Sequence, residues 1–225
     1  MREGIVIAID GPTASGKSTT GRCLARKIGA KYLSTGIIYR MVAWEALRRG
    51  VDMSDGDAVA SLCNRLTCKI RPQDDTFEVV WRGQSIVGEL YGNDTSHAAS
   101  VVSERRAVRE AVLDLQRSLG AQGNIVVDGR DVGTVVFPGA DVKFFLTASK
   151  TERARRRQRE LAEAGKGVDL ERVREEICSR DRRDSSRAIA PLRKAEDAVE
   201  IDSTQLTVDE VVGLMYATIQ RKLGV

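Results

Sequence analysis

Histidine and cysteine are scarce in this sequence. Its 225 residues include one histidine and four cysteines. No two of these cysteines have the C-x-x-C spacing that is typical of zinc sites. We therefore expect no zinc-dependent function. Four separate thiols are typical of a protein that stays reduced, which favours the cytoplasm over a secreted location.

Long apolar runs and a strong excess of one charge are also missing. No apolar run approaches the roughly 20 residues that a membrane span needs, and no signal peptide precedes the first predicted strand. Basic residues number 36 and acidic residues 32, which gives a net charge of +4. We therefore expect neither a membrane nor a nucleic-acid partner, although local arginine clusters could bind a small anion.

A phosphate-loop motif stands near the start of the chain. Residues 11–18 read G-P-T-A-S-G-K-S, which fits G-x-x-x-x-G-K-[ST] in full, between an apolar run and an amphipathic segment. Glycines let successive backbone N–H groups surround a polyphosphate at the start of a helix. Lys17 would reach the β- and γ-phosphate oxygens, and the Ser18 hydroxyl suits Mg²⁺. The alternative is a chance match in a glycine-rich connector.

The order of apolar and polar segments predicts an α/β fold of three layers. Continuous apolar runs at 125–127 and 144–146 are typical of a central parallel sheet that is covered on both faces. Three short strands within 67–90 predict a small antiparallel insert, and Thr207 is the expected N-cap of the last helix. Helices are predicted over 17–28, 34–50, 56–66, 96–119 and 207–222, and over most of 150–187.

Two further segments contain residues that suit a second anion. In S-T-G-I-I-Y-R (34–40), Thr35 opens a predicted helix, and Arg40 lies one turn in, close enough to the helix start to hold an anion. The alternative is an exposed arginine on a surface helix.

In D-G-R-D (128–131), Asp128 follows a buried strand, where a carboxylate can hold the water shell of a metal. Arg130 could pair with phosphate, and Asp131 could accept from an exocyclic amine such as N4 of cytosine. Alternatively, Arg130 and Asp131 pair with each other and with solvent.

The segment 150–187 is rich in arginine. Basic residues recur on one face of each of its two predicted helices, at Arg153, Arg156 and Arg157 and at Arg180, Arg183 and Arg187. Such a run is usually a solvated helix face. Beside a phosphate loop, it can instead form a lid that stabilises the transferring phosphoryl group and excludes water. The stretch A-E-A-G-K-G (162–167) would be the mobile tip.

Together these motifs resemble the bacterial cytidylate kinase family. The phosphate loop, S-T-G-I-I-Y-R, D-G-R-D-V-G-T-V-V-F-P and R-D-R-R-D-S-S-R-A-I-A-P-L occur in the family's order, and the resemblance covers nearly the whole chain. It implies one kinase domain with the P-loop NTPase fold: a core (1–35, 106–150 and 188–225), a nucleotide-monophosphate-binding insert (36–105) and a helical lid (151–187). It also implies transfer of the ATP γ-phosphoryl group to CMP or dCMP with Mg²⁺. We further expect a monomer.

The resemblance also implies a role for individual residues. ATP would be held by Gly11, Pro12, Thr13, Ala14, Ser15, Gly16, Lys17, Ser18 and Thr19, with Ser18 also at the metal. Cytosine would be read by Thr35, Ser100, Arg109 and Asp131, the ribose by Arg180 and Asp184, and the acceptor phosphate by Arg40, Arg130 and Arg187. The catalytic cations would be Lys17, Arg130, Arg153, Arg157 and Arg187. Ser34 departs from the family, which commonly has aspartate there, so hydrogen bonding around Thr35 is expected to differ.

Two other classes of function share parts of this pattern. P-loop kinases that act on shikimate or AMP have the same loop. A P-loop switch protein or a nucleic-acid binder could use the basic stretch 153–159, but the N-K-x-D string expected of a GTPase is missing. Binding to nucleic acid would weaken steeply with salt.

Overall fold

A five-stranded parallel sheet forms the centre of the computed structural model, which describes residues 4–121, 123–163, 165 and 167–224. In spatial order its strands are β2 (Lys31–Ser34), β6 (Ile125–Gly129), β1 (Val6–Asp10), β7 (Val142–Thr147) and β8 (Val199–Asp202). Alternate residues of β1 enter different cores, with Ala8 on one face of the sheet and Ile9 on the other. The sheet is therefore buried on both sides.

Helices form the outer two layers. The helices α1 (Lys17–Lys27) and α9 (Val208–Leu223) pack on the face that contains Ile9. The opposite face is covered by α2 (Thr35–Arg49), α5 (Asn93–Val102) and α6 (Arg106–Gly120). The predicted three-layer α/β fold is confirmed. Thr207 caps α9 as expected, in a reciprocal capping box with Glu210.

Residues 56–90 form a second, smaller sheet and two short helices. This part of the chain comprises α3 (Gly56–Cys63), β3 (Lys69–Gln73), β4 (Thr76–Trp81), β5 (Gln84–Ser85) and α4 (Val87–Leu90). The three strands are antiparallel, as predicted. The third strand, predicted over 84–90, is correct only for Gln84–Ser85. The side chain of Ile86 is buried in the core, and α4 begins at the next residue. The backbone N–H of Tyr32 in β2 donates to Asp75 O at 2.7 Å, which joins this sheet to the core.

The single helix predicted over 96–119 is wrong, because the chain forms two helices there. Three residues, 103–105, separate α5 from α6. The Ser103 hydroxyl donates to Ser100 O at 2.8 Å, and Arg109 Nη1 donates to Ser103 O at 3.1 Å. These bonds close the end of α5 and turn the Ser103 carbonyl toward Arg109.

Two charged helices make up most of the segment 151–187. They are α7 (Lys150–Glu163) and α8 (Leu170–Ser186), packed through a small apolar cluster that includes Leu161 and Val173. Of the predicted mobile tip, Ala164 and Lys166 lie outside the described residues. Within the part of the chain that the structure describes, no helix combines the length and the apolar character needed to cross a bilayer.

Candidate active site

The phosphate loop connects β1 to α1 with the geometry of an anion site. Gly11 and Gly16 have φ values of +153° and +93°, which disfavour residues with a side chain. A Cβ atom at Gly11 would also lie 2.1 Å from the Leu146 carbonyl oxygen. Because Gly16 immediately precedes α1, the unbonded N–H groups of the first helical turn face the loop.

Lys17 lies buried within this loop. Its Nζ donates to Pro12 O at 2.6 Å and to Ser15 Oγ at 3.3 Å. Burial, and then the positive charge of Arg130, hold the pKa of Lys17 well below its ordinary value. An incoming polyphosphate would reverse this effect by adding negative charge.

Ser18 and Asp128 meet at the edge of the sheet where β6 ends. The Ser18 hydroxyl donates to Asp128 Oδ2 at 2.7 Å. Thr35, the first residue of α2, donates through its hydroxyl to Asp128 O at 2.9 Å. The predicted placement of Asp128 opposite the phosphate loop is therefore confirmed. Carboxylate and hydroxyl oxygens are ligands of the kind that Mg²⁺ prefers, so these residues fit that metal.

A cavity of about 410 Å³ opens beside this pair and contains most of the predicted site residues. Those that line it are Thr13, Ala14, Gly16, Lys17, Ser18, Thr19, Thr35, Arg40, Arg109, Arg130, Asp131, Arg157, Arg180, Asp184 and Arg187. Among the described residues, eight basic and four acidic side chains line it. The cavity is therefore strongly electropositive. Gly11, Pro12, Ser15, Ser100 and Arg153 do not line it, although the first three complete the loop.

Three arginines and one aspartate meet on one wall of this cavity. Arg130 Nε donates to Asp184 Oδ2 at 2.7 Å, and its Nη2 donates to Thr13 Oγ1 at 3.0 Å. Burial, and then the charge of Arg130, lower the pKa of Arg180 to about 9. Within the described chain, Arg180 Nε and two nitrogens of Arg187, Nε and Nη2, are buried without a hydrogen bond. Such donors suit an anion that the protein itself does not supply.

A buried ion pair between Arg109 and Asp131 lies next to these arginines. Arg109 Nη2 donates to Asp131 Oδ2, and each side chain is only 7% exposed. The guanidinium of Arg187 lies 3.9 Å from Asp131 Oδ1. The Tyr39 ring packs against Arg109, with the guanidinium carbon 5.5 Å from the ring centre. Asp131 therefore presents a carboxylate that is held in place between two cations.

Ser100 and Arg40 belong to α5 and α2. Ser100 is buried in α5 and does not line the cavity. Arg40 lines the cavity, with Nη1 donating to Leu90 O at 3.0 Å and its guanidinium 4.6 Å from the centre of the Tyr91 ring.

The three arginines predicted to share one face of α7 reach three different places. Arg153 donates to Thr13 O and Ala148 O at 3.0 Å each and pairs with Asp181. Arg156 donates to Ser203 O at 2.6 Å. Arg157 pairs with Glu160 and lines the cavity.

Sequence reasoning missed a second cavity and one residue of the phosphate-loop network. The cavity, of about 320 Å³, lies between the phosphate loop, α7 and the β8–α9 connection, and Arg156, Ser203 and Thr207 line it. The position of Ser203 directly after a parallel strand was the available signal. Asp181 accepts from Thr13 N at 3.1 Å. No sequence signal distinguishes it from its charged neighbours, because its partners lie far away along the chain.

Comparison with known proteins identifies the family. The family model described as "Cytidylate kinase" matches residues 7–221. The cytidylate kinase of Geobacter sp. strain M21 is 43% identical over 221 residues, which cover 98% of this chain and 95% of that protein. That of Geobacillus thermodenitrificans strain NG80-2 is 43% identical over 224 residues, which cover 100% of each chain.

A crystal structure of an uncharacterized protein from Eubacterium ventriosum ATCC 27560 aligns with a TM-score of 0.54 at 13% identity. The alignment covers 97% of this chain and 99% of that one, and it shows a shared fold alone. The resemblance seen in the sequence motifs is thus confirmed by the family model and by the relatives. The chain belongs to the cytidylate kinase family.

Proposed function

We propose that this protein transfers the γ-phosphoryl group of ATP to the 5′-phosphate of CMP or dCMP. The observation that carries the proposal is the electropositive cavity, which joins a phosphate loop to a buried carboxylate, Asp131. The products would be ADP and CDP or dCDP. We further propose that the protein acts as a monomer.

The phosphate loop and the second cavity would bind ATP. Backbone N–H groups of the loop and Lys17 would hold the polyphosphate. The second cavity adjoins the loop through Ala14 and Gly16, so the adenosine could extend into it past the planar guanidinium of Arg156.

Ser18 and Asp128 would hold Mg²⁺, with the nucleotide phosphates and water completing its ligands. A bound Mg²⁺ neutralises phosphate charge during phosphoryl transfer. The hydrogen bond from Ser18 keeps the Asp128 carboxylate turned toward the phosphate loop. Asp128 in turn is fixed because its backbone carbonyl accepts from Thr35.

The acceptor phosphate would bind to the arginines of the cavity wall. Arg130, Arg187 and Arg40 would take the phosphate, and Arg180 with Asp184 the ribose side. Because the acceptor oxygen is already ionised, no side chain has to act as a general base. Catalysis would then consist of positioning and charge stabilisation. Arg157, half-exposed on α7, would reach the transferring group when the lid (151–187) and the insert (36–105) close.

Arg153 would act on the same step from behind the loop. In this structure its guanidinium holds the Thr13 carbonyl, so its catalytic contribution would be to fix the loop.

The Asp131–Arg109 pair would select cytosine. The amine at position 4 of cytosine can donate to the Asp131 carboxylate, and the Arg109 guanidinium can donate to N3 or O2. Uracil has a carbonyl at position 4, so it would face Asp131 with a second acceptor. An unpaired buried polar group costs about 1–3 kcal/mol, which corresponds to roughly 5- to 150-fold in kcat/KM.

We expect a panel of acceptors with MgATP to show this preference. CMP and dCMP should exceed UMP in kcat/KM by about tenfold or more, with AMP and shikimate as poorer acceptors still. Coupled detection of ADP release measures all five. Equal kcat/KM for CMP and UMP would contradict the proposed base recognition, and turnover of shikimate alone would replace the proposed function by that of another P-loop kinase.

Replacing Asp128 with asparagine should raise the Mg²⁺ concentration needed for half-maximal rate by about tenfold. The asparagine keeps the size of the side chain and can still accept from Ser18, but it lacks the negative charge. Asp114→Asn, on the exposed side of α6, is the matched control and should leave the Mg²⁺ requirement unchanged. An unchanged Mg²⁺ requirement in Asp128→Asn would show that the carboxylate does not hold the metal.

A further inference from the structure

Asp10, the last residue of β1, is a buried carboxylate that lines neither of the cavities described above. Its Oδ1 accepts from Val132 N at 2.8 Å, and its Oδ2 accepts from Gly133 N at 2.7 Å. Val132 and Gly133 begin a single π-helical turn, Val132–Val136, that follows Asp131. Asp10 therefore caps a turn that belongs to a distant part of the chain.

Asp131 is the residue that would ordinarily cap this turn. An aspartate directly before a helical turn commonly accepts from the first backbone N–H groups of that turn. Asp131 makes no such bond. Its carboxylate instead accepts from Arg109 and lies 3.9 Å from Arg187. The two aspartates thus divide two tasks, one facing the turn and the other facing the cavity.

We propose that Asp10 is a positioning residue for base selection, which satisfies the turn at 132–136 so that the Asp131 carboxylate stays in the cavity. The inference rests on the proposed function, in which Asp131 reads the acceptor base. Without the Asp10 carboxylate, Val132 and Gly133 lose their acceptors, and the side chain nearest along the chain is that of Asp131. Rotation toward the turn would take Asp131 away from Arg109 and from the base.

The packing around the turn explains why the acceptor comes from β1. Asp10 lies beside Gly129 in the sheet register. A Cβ atom at Gly129 would lie 2.5 Å from Thr35 Oγ1 and 2.6 Å from Val132 Cγ2, so the chain is closely packed here. A Cβ atom at Gly133 would lie 3.4 Å from Asp10 Oδ2 and 3.1 Å from Lys143 Cδ. The turn is therefore fixed against β1. The residue that follows β1, Gly11, begins the phosphate loop.

The pKa of Asp10 agrees with a role in function rather than a role in stability. Burial raises the pKa of Asp10 to about 6, against the opposing effect of the two backbone N–H donors. A raised carboxyl pKa means that the charged form is less stable in the folded chain than in the unfolded chain. The Asp10 charge therefore does not itself add to the stability of the fold.

The test compares kcat/KM for CMP with kcat/KM for UMP. In Asp10→Ala, the CMP:UMP ratio should fall by about tenfold, while the KM for ATP changes by less than about threefold. A loss of folded protein alone would lower both acceptor activities together and leave the ratio unchanged. Lys143→Met is the matched control, because the buried Lys143 side chain packs against the same turn but pairs with Asp197, which is exposed and remote from Asp131 in the chain. Its ratio should match that of the wild type.

A double-mutant cycle tests whether Asp10 acts through Asp131. Asp131→Asn should itself lower the ratio, and Asp10→Ala in that background should lower it no further. Full additivity would overturn the inference. If Asp10→Ala does not fold, Asp10→Asn replaces it, because its single oxygen accepts only one of the two bonds. A wild-type ratio in that variant also overturns the inference.

The wild-type ratio separates this inference from the proposed function. A wild-type protein without preference for CMP removes the proposed function and the role of Asp10 with it. A wild-type preference that survives intact in Asp10→Ala contradicts only the role of Asp10.

Discussion

We expect the Lys17→Met protein to fold normally and to turn over at least about a thousandfold more slowly than the wild type. The Lys17 ammonium is held at the centre of the phosphate loop by Pro12 O and Ser15 Oγ, so it is already in place to contact a polyphosphate. Burial lowers its pKa, which means that the charge has few favourable partners until phosphate oxygens arrive. The measurement is kcat at saturating MgATP and CMP, by coupled ADP release.

A matched substitution at the other end of the same helix controls for the loss of a lysine. Lys27 ends α1 on the protein surface, where its ammonium lies 4.9 Å from the centre of the Tyr216 ring. Lys27→Met should keep kcat within about twofold, because surface substitutions have small effects. Because Lys17→Met removes a buried charge, its thermal midpoint should not fall below that of the wild type. Near-normal turnover in Lys17→Met would refute the role of Lys17.

The elements that could be predicted from the sequence are those whose pattern is local and strong. The buried strands and the helices around the phosphate loop follow from apolar runs, glycines and helical periodicity. The break between α5 and α6 does not, because a bond from Arg109 to Ser103 O, formed only in the folded chain, helps to define it. The shortened third strand has a similar origin, since Ile86 packs into a core that exists only in the folded chain.

In the candidate site, too, residues fixed by a local pattern could be predicted, and residues placed by distant contacts could not. The phosphate loop, Ser18 and Asp128 could be placed because a strand–loop–helix unit and a strand end fix their positions. The arginines of α7 could not be separated, although ideal helix geometry sets residues three and four apart about 60° and 40° from each other around the axis. These small angles are enough to send Arg153 to the phosphate loop and Arg156 to Ser203.

Asp10 shows most clearly why contacts between distant parts of the chain could not be predicted from the sequence. Its partners, Val132 and Gly133, lie more than a hundred residues away along the chain. They come within reach only because β1 and β6 are neighbours in the sheet. A sequence pattern contains no information on which strands become neighbours at such a separation.

Replacing Arg187 with methionine should lower kcat/KM for CMP by about a thousandfold and at the same time raise the thermal midpoint of the free protein. The Arg187 side chain is 4% exposed, and its pKa is lowered by burial and then by the charge of Arg109. A buried cation whose pKa is lowered opposes folding, so its removal stabilises the protein. Each kcal/mol gained raises the midpoint by roughly 2–4 °C in a chain of this size.

The control is Arg183→Met, on α8 and outside both cavities. Arg183 lies 3.9 Å from Glu104 at a partly exposed site, so its loss should change activity by less than about threefold and should not raise the midpoint. Activity and thermal unfolding of the three proteins are measured in the same buffer, with and without CMP.

Adding CMP should reverse this order, so that the thermal midpoint of the wild type rises above that of Arg187→Met. Ligand binding stabilises the folded state by about 2.7 kcal/mol at a hundredfold excess over Kd, and the wild type receives this stabilisation at far lower CMP concentrations than Arg187→Met. Asp131 would keep Arg109, and Asp184 would keep Arg130, so neither carboxylate is left unpaired in the variant. A destabilisation of about 3–5 kcal/mol in Arg187→Met would instead mean that Arg187 is a structural partner of Asp131. The crossing of the two midpoints as CMP is added therefore separates a phosphate ligand from a structural ion pair.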